Sequence, residues 1–322
     1  MSRLTYLARR LGFSVFAAYV VMTISFVTVA VVPDPNVGFA AWLAKGDSDA
    51  AANAVRQAKN LDEPLLDRYL DWVVDIATFD WGRSIGMFGE PGAPVTLLLE
   101  QSLPVTLAYL VPALVISTVL ALVIGSYVAL RPTSRVARGL SYVSYLGLGL
   151  PSFFVAELVL FAAYNEVDWL TLEFPRVVDL TDPVSLWPYL VPATVVGTTL
   201  AAGQLRYVRA ESSEILGAEF VKVVRAKGAT DLRVLRHVLS NAALPLVSLF
   251  FADLVSTMVV QLFVIEYVFS LPGLGFLALQ AASARNMPVI LGTTMVIAYA
   301  GIGVNFLQDV AYAWFDPRAD FE

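Results

Sequence analysis

The chain has 322 residues, of which 58% are hydrophobic and only 15% charged, with a net charge of -6 at neutral pH. A soluble domain carries roughly 25% charged residues, so this composition excludes an ordinary water-soluble globule, and the acidic balance argues against a nucleic-acid partner. With no cysteine and a single histidine, His237, the chain lacks the residues for a disulfide framework, a thiolate nucleophile or a metal centre built from sulfur and nitrogen.

Residues 11–33, between Arg10 and Asp34, form the first uncharged run, and its length suffices for the roughly 20 residues that cross a hydrocarbon core. Pro33-Asp34-Pro35 follows it in place of a small-x-small cleavage site, so the run is expected to be a retained span and not a removed signal peptide. Residues 34–103 come next as one large element. Helical patterning is expected around 50–59 and again around 62–79, where Leu65, Leu66, Tyr69, Leu70, Val73, Val74 and Ile76 recur near 3.6-residue spacing. Gly82, Gly86, Gly89, Pro91, Gly92 and Pro94 then break the chain into turns. Two readings stand for this element: a solvated loop with two helices, or a lip that guides a substrate or docks an external partner.

Five further spans are predicted at 104–130, 139–164, 184–205, 244–266 and 287–311, with Pro104, Pro192, Pro245 and Pro288 near their ends. Gly125, Gly147, Gly149 and Gly197 offer sites of close helix approach in lipid. Lysine and arginine orient the set. With the N terminus inside, the cytoplasmic parts hold fourteen of the 21 basic residues, and the short loop 131–138 holds Arg131, Arg135 and Arg138 with no acid. The expected fold is therefore all-α and polytopic, with six transmembrane helices and both termini cytoplasmic, in the cell membrane. Its expected organisation is 1–33 as N-terminal segment and first span, 34–103 as extracytoplasmic segment with short helices, and 104–322 as a five-helix core including a cytoplasmic loop at 206–243.

That loop is the longest cytoplasmic segment. A helix is predicted from about Ala210 to Lys227, ending at Gly228 after basic residues, and Thr230 can cap a second helix through Leu232, Leu235, Val238 and Leu239 up to Pro245. Its arginines suit anionic headgroups, whereas Phe220, Val221 and Val224 suit a pocket on another protein; the residues alone leave both open.

Four acids fall in or near the spans: Glu157, Asp253, Glu266 and Asp309. An ionised carboxylate facing lipid costs about 2.5–3.5 kcal/mol, so each is expected to face the bundle interior, a water-filled path or an interface. Asp253 lies near the middle of its span and is read either as lining a translocation path toward a cationic or hydrogen-bonding part of a cargo, or as a packed polar contact with Gln261 or Ser256. Asp309 and Glu266 are expected mainly to anchor structure, Asp309 by pairing with an arginine of the cytoplasmic loops. No GxxxxGK[ST] stretch is present, so ATP is not bound through that motif.

Several ordered stretches carry a resemblance. Glu219-Phe220, Arg225-Ala226-Lys227-Gly228, Leu235-Arg236-His237 and Asn241-Ala242-Ala243-Leu244-Pro245 resemble the cytoplasmic signature of the permease subunits of binding-protein-dependent ABC importers. YLARRLGF at 6–13, LDEPLLDRYLDWV at 61–73, WGRSI at 81–85, LGLGLPSFF at 146–154, VFSLPGLG at 268–275 and DPR at 316–318 are similar to the first permease subunit of the dipeptide/oligopeptide/nickel branch. The resemblance implies a type I importer-like permease fold and a coupling helix near 219–229, comprising Glu219, Phe220, Val224, Arg225, Ala226, Lys227, Gly228 and Ala229, that seats in an ATPase subunit. It also implies a translocation path or gate around Asp253, Ser256, Glu266, Pro272 and Gly273. The implied partners are a second homologous permease subunit, two ATP-binding subunits that hold ATP and Mg, an extracytoplasmic substrate-binding protein, and membrane lipid. No cofactor is expected in this chain, and no catalysis. Di- or oligopeptides are the first expected cargo, with sugars or nickel chelates as alternatives in the same class. Two rivals are an ion-coupled secondary transporter, for which no repeat pairing 1–160 with 161–322 is visible, and a membrane scaffold or receptor. Asp253, Glu157 and the VVPDPN exit of the first span depart from the branch's usual pattern.

Overall fold

The computed structural model describes residues 3–31, 35–44, 46–58, 61–84, 92–166, 173–175 and 177–315. The DPR motif at 316–318 lies outside these residues, as do Ile85, Gly86, Gly89 and Pro91 and the Pro33-Asp34 pair. Among the described residues every regular element is helical, apart from an isolated antiparallel pairing of Arg83 with Pro94.

In chain order the helices are α1 (Arg3–Val31), α2 (Pro35–Leu43), α3 (Ser48–Ala58), α4 (Leu65–Ala77), α5 (Val95–Leu130), α6 (Arg135–Gly149), α7 (Ser152–Glu166) and α8 (Pro183–Leu186). A 3-10 turn at Trp187–Tyr189 leads into α9 (Leu190–Leu216), followed by α10 (Glu219–Ala226) and α11 (Asp231–Ser256). A π-helical turn at Thr257–Gln261 joins α11 to α12 (Leu262–Val268), and α13 (Leu274–Ser283) and α14 (Met287–Phe315) complete the chain. Five helical runs among the described residues are long and apolar enough to cross a membrane, and six if the bent pair α6 and α7 counts as one. The chain is thus an all-α polytopic membrane protein.

Three features differ from the sequence expectations. The run expected as a single span at 139–164 is broken into α6 and α7, which meet at 98°. Leu150 is extended there because it precedes Pro151, whose ring disfavours helical backbone at the preceding residue. The helix expected from Ala210 to Lys227 divides at Gly217–Ala218: α9 runs on to Leu216, and α10 starts afresh at Glu219. Pro245 does not end a helix either, since α11 continues through it, as α5 continues through Pro104 and Pro112. Carbonyls freed by proline inside a membrane helix can be satisfied by neighbouring groups.

The fold forms two compact units. The first comprises Met1–Arg10, Gln101–Phe276 and Gly303–Glu322. Its core is built around α5 and α9, with Tyr109, Tyr189, Val196, Ile265 and Leu271 fully or almost fully buried. Gly197 makes this packing possible, because a Cβ there would stand 2.9 Å from the carbonyl oxygen of Ala113. The Tyr189 hydroxyl donates to the Pro175 carbonyl at 2.8 Å, and the Phe174 ring lies between those of Tyr189 and Phe269. Helix α9 also packs against α6, α7 and α11.

The second unit comprises Leu11–Glu100 and Leu277–Ile302. Here α4 lies against α1: the Trp72 indole donates to the Met22 carbonyl at 3.2 Å, and the Tyr69 hydroxyl bonds to both Tyr19 (2.6 Å) and Thr23 (2.9 Å). Met22, Ile76 and Met295 form the buried centre of this unit. The turn residues before α5 are held by Asn286, whose amide donates to the Ser84 hydroxyl at 2.7 Å.

Candidate functional site

The segment 217–231 is assembled from short-range signals. Gly217 and Gly228 bracket α10, and Gly228 adopts a φ of 80°, a left-handed conformation that suits glycine after a helix. Val221 is 1% exposed and packs with Val234, Val238, Ile215, Leu216, Val224 and Leu130, fixing α10 to α11 and to the end of α5. Phe220 and Val223 point the other way and stay exposed, at 41% and 53%. Around them Glu219, Arg225, Ala226, Lys227 and Gly228 are exposed, while Val224 and Ala229 are half-buried. Lys222 and Glu219 pair along the helix at 2.7 Å. Burying Phe220 on another surface would remove apolar area from water, so this helix presents an uncovered apolar spot on an otherwise charged element.

The same segment is tied to the loop after α5. Arg131 meets Asp231, in the first turn of α11, at 2.5 Å, and this bond holds the Arg131 guanidinium above its ordinary pKa.

Asp253 is half-buried on α11, with its carboxylate accepting from the Gln204 amide of α9 at 2.8 Å. The expected contact with Gln261 or Ser256 is not made. Gln261 instead accepts from the Ser152 hydroxyl at 2.5 Å, at the start of α7, and Ser256 is exposed. Gln204 also lines a cavity of about 420 Å³ whose walls include Thr118, Leu122, Val208, Phe250 and Phe251. Thr118 Oγ1 is buried there with no hydrogen-bond partner among the described residues. The cavity is thus apolar with two polar points, Thr118 and Gln204, and the second of these touches Asp253.

Glu266 is fully buried on α12. Its Oε1 accepts from the Thr106 hydroxyl at 2.7 Å and the Tyr109 hydroxyl at 3.2 Å, and its Oε2 accepts from the Phe276 backbone N–H at 2.9 Å. Gly273 is buried against the carboxylate, and any Cβ at that position would overlap it. Pro272 beside it is half-buried. Glu157 is exposed on α7. Asp309 pairs with Arg10 of α1 at 3.5 Å and accepts from the Tyr6 hydroxyl at 3.4 Å, so its arginine comes from the first helix and not from a cytoplasmic loop. No group of metal-ligating side chains occurs among the described residues.

Sequence reading found Asp253 and Glu266 through the cost of a carboxylate in a span, but not Gln204, Thr106 or Tyr109. The spacing of Thr106 and Tyr109 at i and i+3 on α5 puts both hydroxyls on one helix face, a pattern visible in the sequence only once the acceptor is known.

A family profile described as "Binding-protein-dependent transport system inner membrane component" matches residues 121–321. The chain is 30% identical over 268 residues to the "Oligopeptide transport system permease protein AppB" of Bacillus subtilis (strain 168), covering 81% of this chain and 82% of that one. It is 28% identical over 318 residues to the "Dipeptide transport system permease protein DppB" of the same organism, covering 97% of each. With α10, the Asp253–Gln204 pair and Glu266 itself inside the matched stretch, and its partners Thr106 and Tyr109 ahead of it, the chain belongs to the family of inner-membrane components of binding-protein-dependent transport systems.

Proposed function

We propose that this chain is one of two pore-forming permease subunits of an ATP-driven importer, and that it passes di- or oligopeptides delivered by an external binding protein. The observation that carries the reading is the family match over 121–321, which includes the exposed helix α10. The peptide cargo rests on similarity to relatives named as oligopeptide and dipeptide transport permeases over most of their length.

In this reading the chain crosses the cell membrane six times, with α6 and α7 as one bent span and both termini in the cytoplasm. Residues 1–33 form the N-terminal segment and first span, 34–103 an extracytoplasmic segment, and 104–322 the transport core with its coupling loop at 206–243. A second homologous permease subunit completes the pore, and two ATPase subunits bind ATP with Mg. The surface of Glu219, Phe220, Val224, Arg225, Ala226, Lys227, Gly228 and Ala229 seats in one of those ATPase subunits. Closure of the ATPase pair pushes α10, and the Val221 cluster passes the push to α11. From Asp231 to Ser256 the helix has 26 residues, about 39 Å at 1.5 Å per residue, so a rigid displacement at its start reaches Asp253 deep in the span. ATP thus acts by selecting one access state of a pore that has two.

Asp253 and Ser256 line the path, and Glu266, Pro272 and Gly273 belong to a gate. A protonated amine of the cargo is the group that Asp253 suits. Reconstitution of the four-subunit complex with its binding protein is the direct test. Varied peptides should stimulate ATP hydrolysis and drive uptake; stimulation by sugars or nickel chelates alone would transfer the reading to those cargoes.

A further inference from the structure

We propose that Glu266 is a positioning residue of the transport cycle: through hydrogen bonds it pins the turn at 269–273 and the start of α13 to α5, so that these parts move as one body. The inference rests on the transport role proposed above and assigns to Glu266 a specific mechanical task within it.

The geometry is that of a clamp with few spare bonds. Thr106 sits at its centre, accepting from the Leu274 backbone N–H at 2.9 Å while donating to Glu266 Oε1 at 2.7 Å. One hydroxyl therefore links the first residue of α13 to the carboxyl of α12, from a position on α5. On its other oxygen Glu266 takes the Phe276 N–H at 2.9 Å, which satisfies one of the free donors at the start of α13. Its own backbone carbonyl accepts from Leu271 N–H at 2.9 Å, closing the turn from beneath. Within that turn Ser270 is held at a φ of 54°, a strained conformation for a residue with a Cβ. Such backbone persists only where its surroundings over-determine it, and the bonds to Glu266 and Thr106 supply that determination. Gly273 admits the carboxylate because it has no side chain.

The task is one of hydrogen bonding and shape, which distinguishes it from a role as a proton carrier. A carboxamide at 266 can still accept from Phe276 N–H, and its amide hydrogens can meet the hydroxyls of Thr106 and Tyr109 once these rotate. An alanine leaves those groups unpaired in a buried site.

The experiment uses the complete reconstituted complex, with spin labels on cysteines introduced at Leu103→Cys on α5 and Tyr267→Cys on α12, both exposed positions in a chain with no native cysteine. With Glu266 in place, the 103–267 distance distribution should stay narrow and keep one mean in nucleotide-free and ATP-trapped states. Glu266→Ala should broaden it and reduce ATP-dependent uptake about tenfold or more, and Glu266→Gln should restore both. If Glu266→Ala does not assemble, Thr106→Val carries the test, with broadening and slower uptake expected. A mean distance that shifts between nucleotide states in the native complex would overturn the proposal. So would a Glu266→Gln complex as inactive as Glu266→Ala, or an unchanged distribution in Thr106→Val. Uptake by the native complex is scored separately, so a failed clamp and a failed transport role give different results.

Discussion

Asp253 and Gln204 meet across 49 positions of sequence, and that separation explains why only one of them was legible beforehand. A carboxylate inside an apolar run is conspicuous, whereas a glutamine is not, and nothing in the local pattern of α9 marks residue 204 as its partner. Asp253→Asn separates charge from contact, because an asparagine oxygen can still accept from the Gln204 amide. If Asp253 reads a protonated amine, a charge-assisted hydrogen bond of about 1.5–3 kcal/mol is lost. Uptake of peptides with a free amino terminus should then fall about tenfold or more while N-acetylated peptides are unaffected, as measured by competition in proteoliposomes. Uptake of both classes left at its native level by the substitution would remove Asp253 from the path. At Gly273 the expected effect is steric. Gly273→Ala places a methyl group on a buried carboxylate, and overpacking of this kind costs about 1–3 kcal/mol, read as a lower thermal midpoint of the purified complex.

Among the elements, α10 presents two adjacent residues with opposite tasks. Val221 holds the helix to the protein, and Phe220 is left outside. On the proposed docking of α10 in an ATPase subunit, Phe220→Ala should leave the chain folded and membrane-inserted but weaken co-purification with that partner. Val221→Ala should instead destabilise the α10–α11 corner, losing about 2 kcal/mol of buried apolar contact, with faster proteolysis of the segment 217–231 as the measurable sign. The helices of this loop were legible from apolar spacing and glycines, but the break at Gly217–Ala218 was not, since the residues on either side are individually good helix formers. The elbow at Pro151 had a visible cause and was still missed, because the apolar run of 139–164 continues straight through it. Where hydrophobicity is uninterrupted, it reports burial in lipid and says nothing about direction.

On α4 the acids Asp67, Asp71 and Asp75 recur every fourth residue, and desolvation, with Asp80 and Asp71 nearby, raises the Asp75 pKa. A carboxyl raised in the folded state binds protons there more readily than in the unfolded chain, so its ionisation opposes folding. The helix should gain stability as pH falls from neutral through the folded pKa of Asp75, and Asp75→Asn should flatten that part of the profile. Hydrogen exchange of the α4 amides across pH measures it. An unchanged slope in the variant would assign the effect to other acids.

At the scale of the whole molecule, the apolar spans and their order were legible because lipid imposes one rule on every spanning segment: satisfy the backbone internally and present apolar side chains outward. The exposed Phe13, Phe16, Tyr142, Val143 and Trp314 obey it. What the sequence did not reveal is the set of polar contacts between helices, each of which depends on register. The π turn at Thr257–Gln261 shows how much rests on register. There the Leu262 N–H reaches back to the Thr257 carbonyl, one residue farther than in an α-helix. It separates Asp253 from Glu266 along one continuous rod. The turn thus takes up one extra residue, whereas removing a residue from the regular helix between it and Glu266 would rotate Glu266 by about 100°, carrying it off the Thr106 side while Asp253 stayed beside Gln204. The stretch from Leu262 to Ile265 therefore tolerates exchange of one side chain for another far better than any change in its length, and a one-codon deletion there should be as damaging as the loss of Glu266 itself.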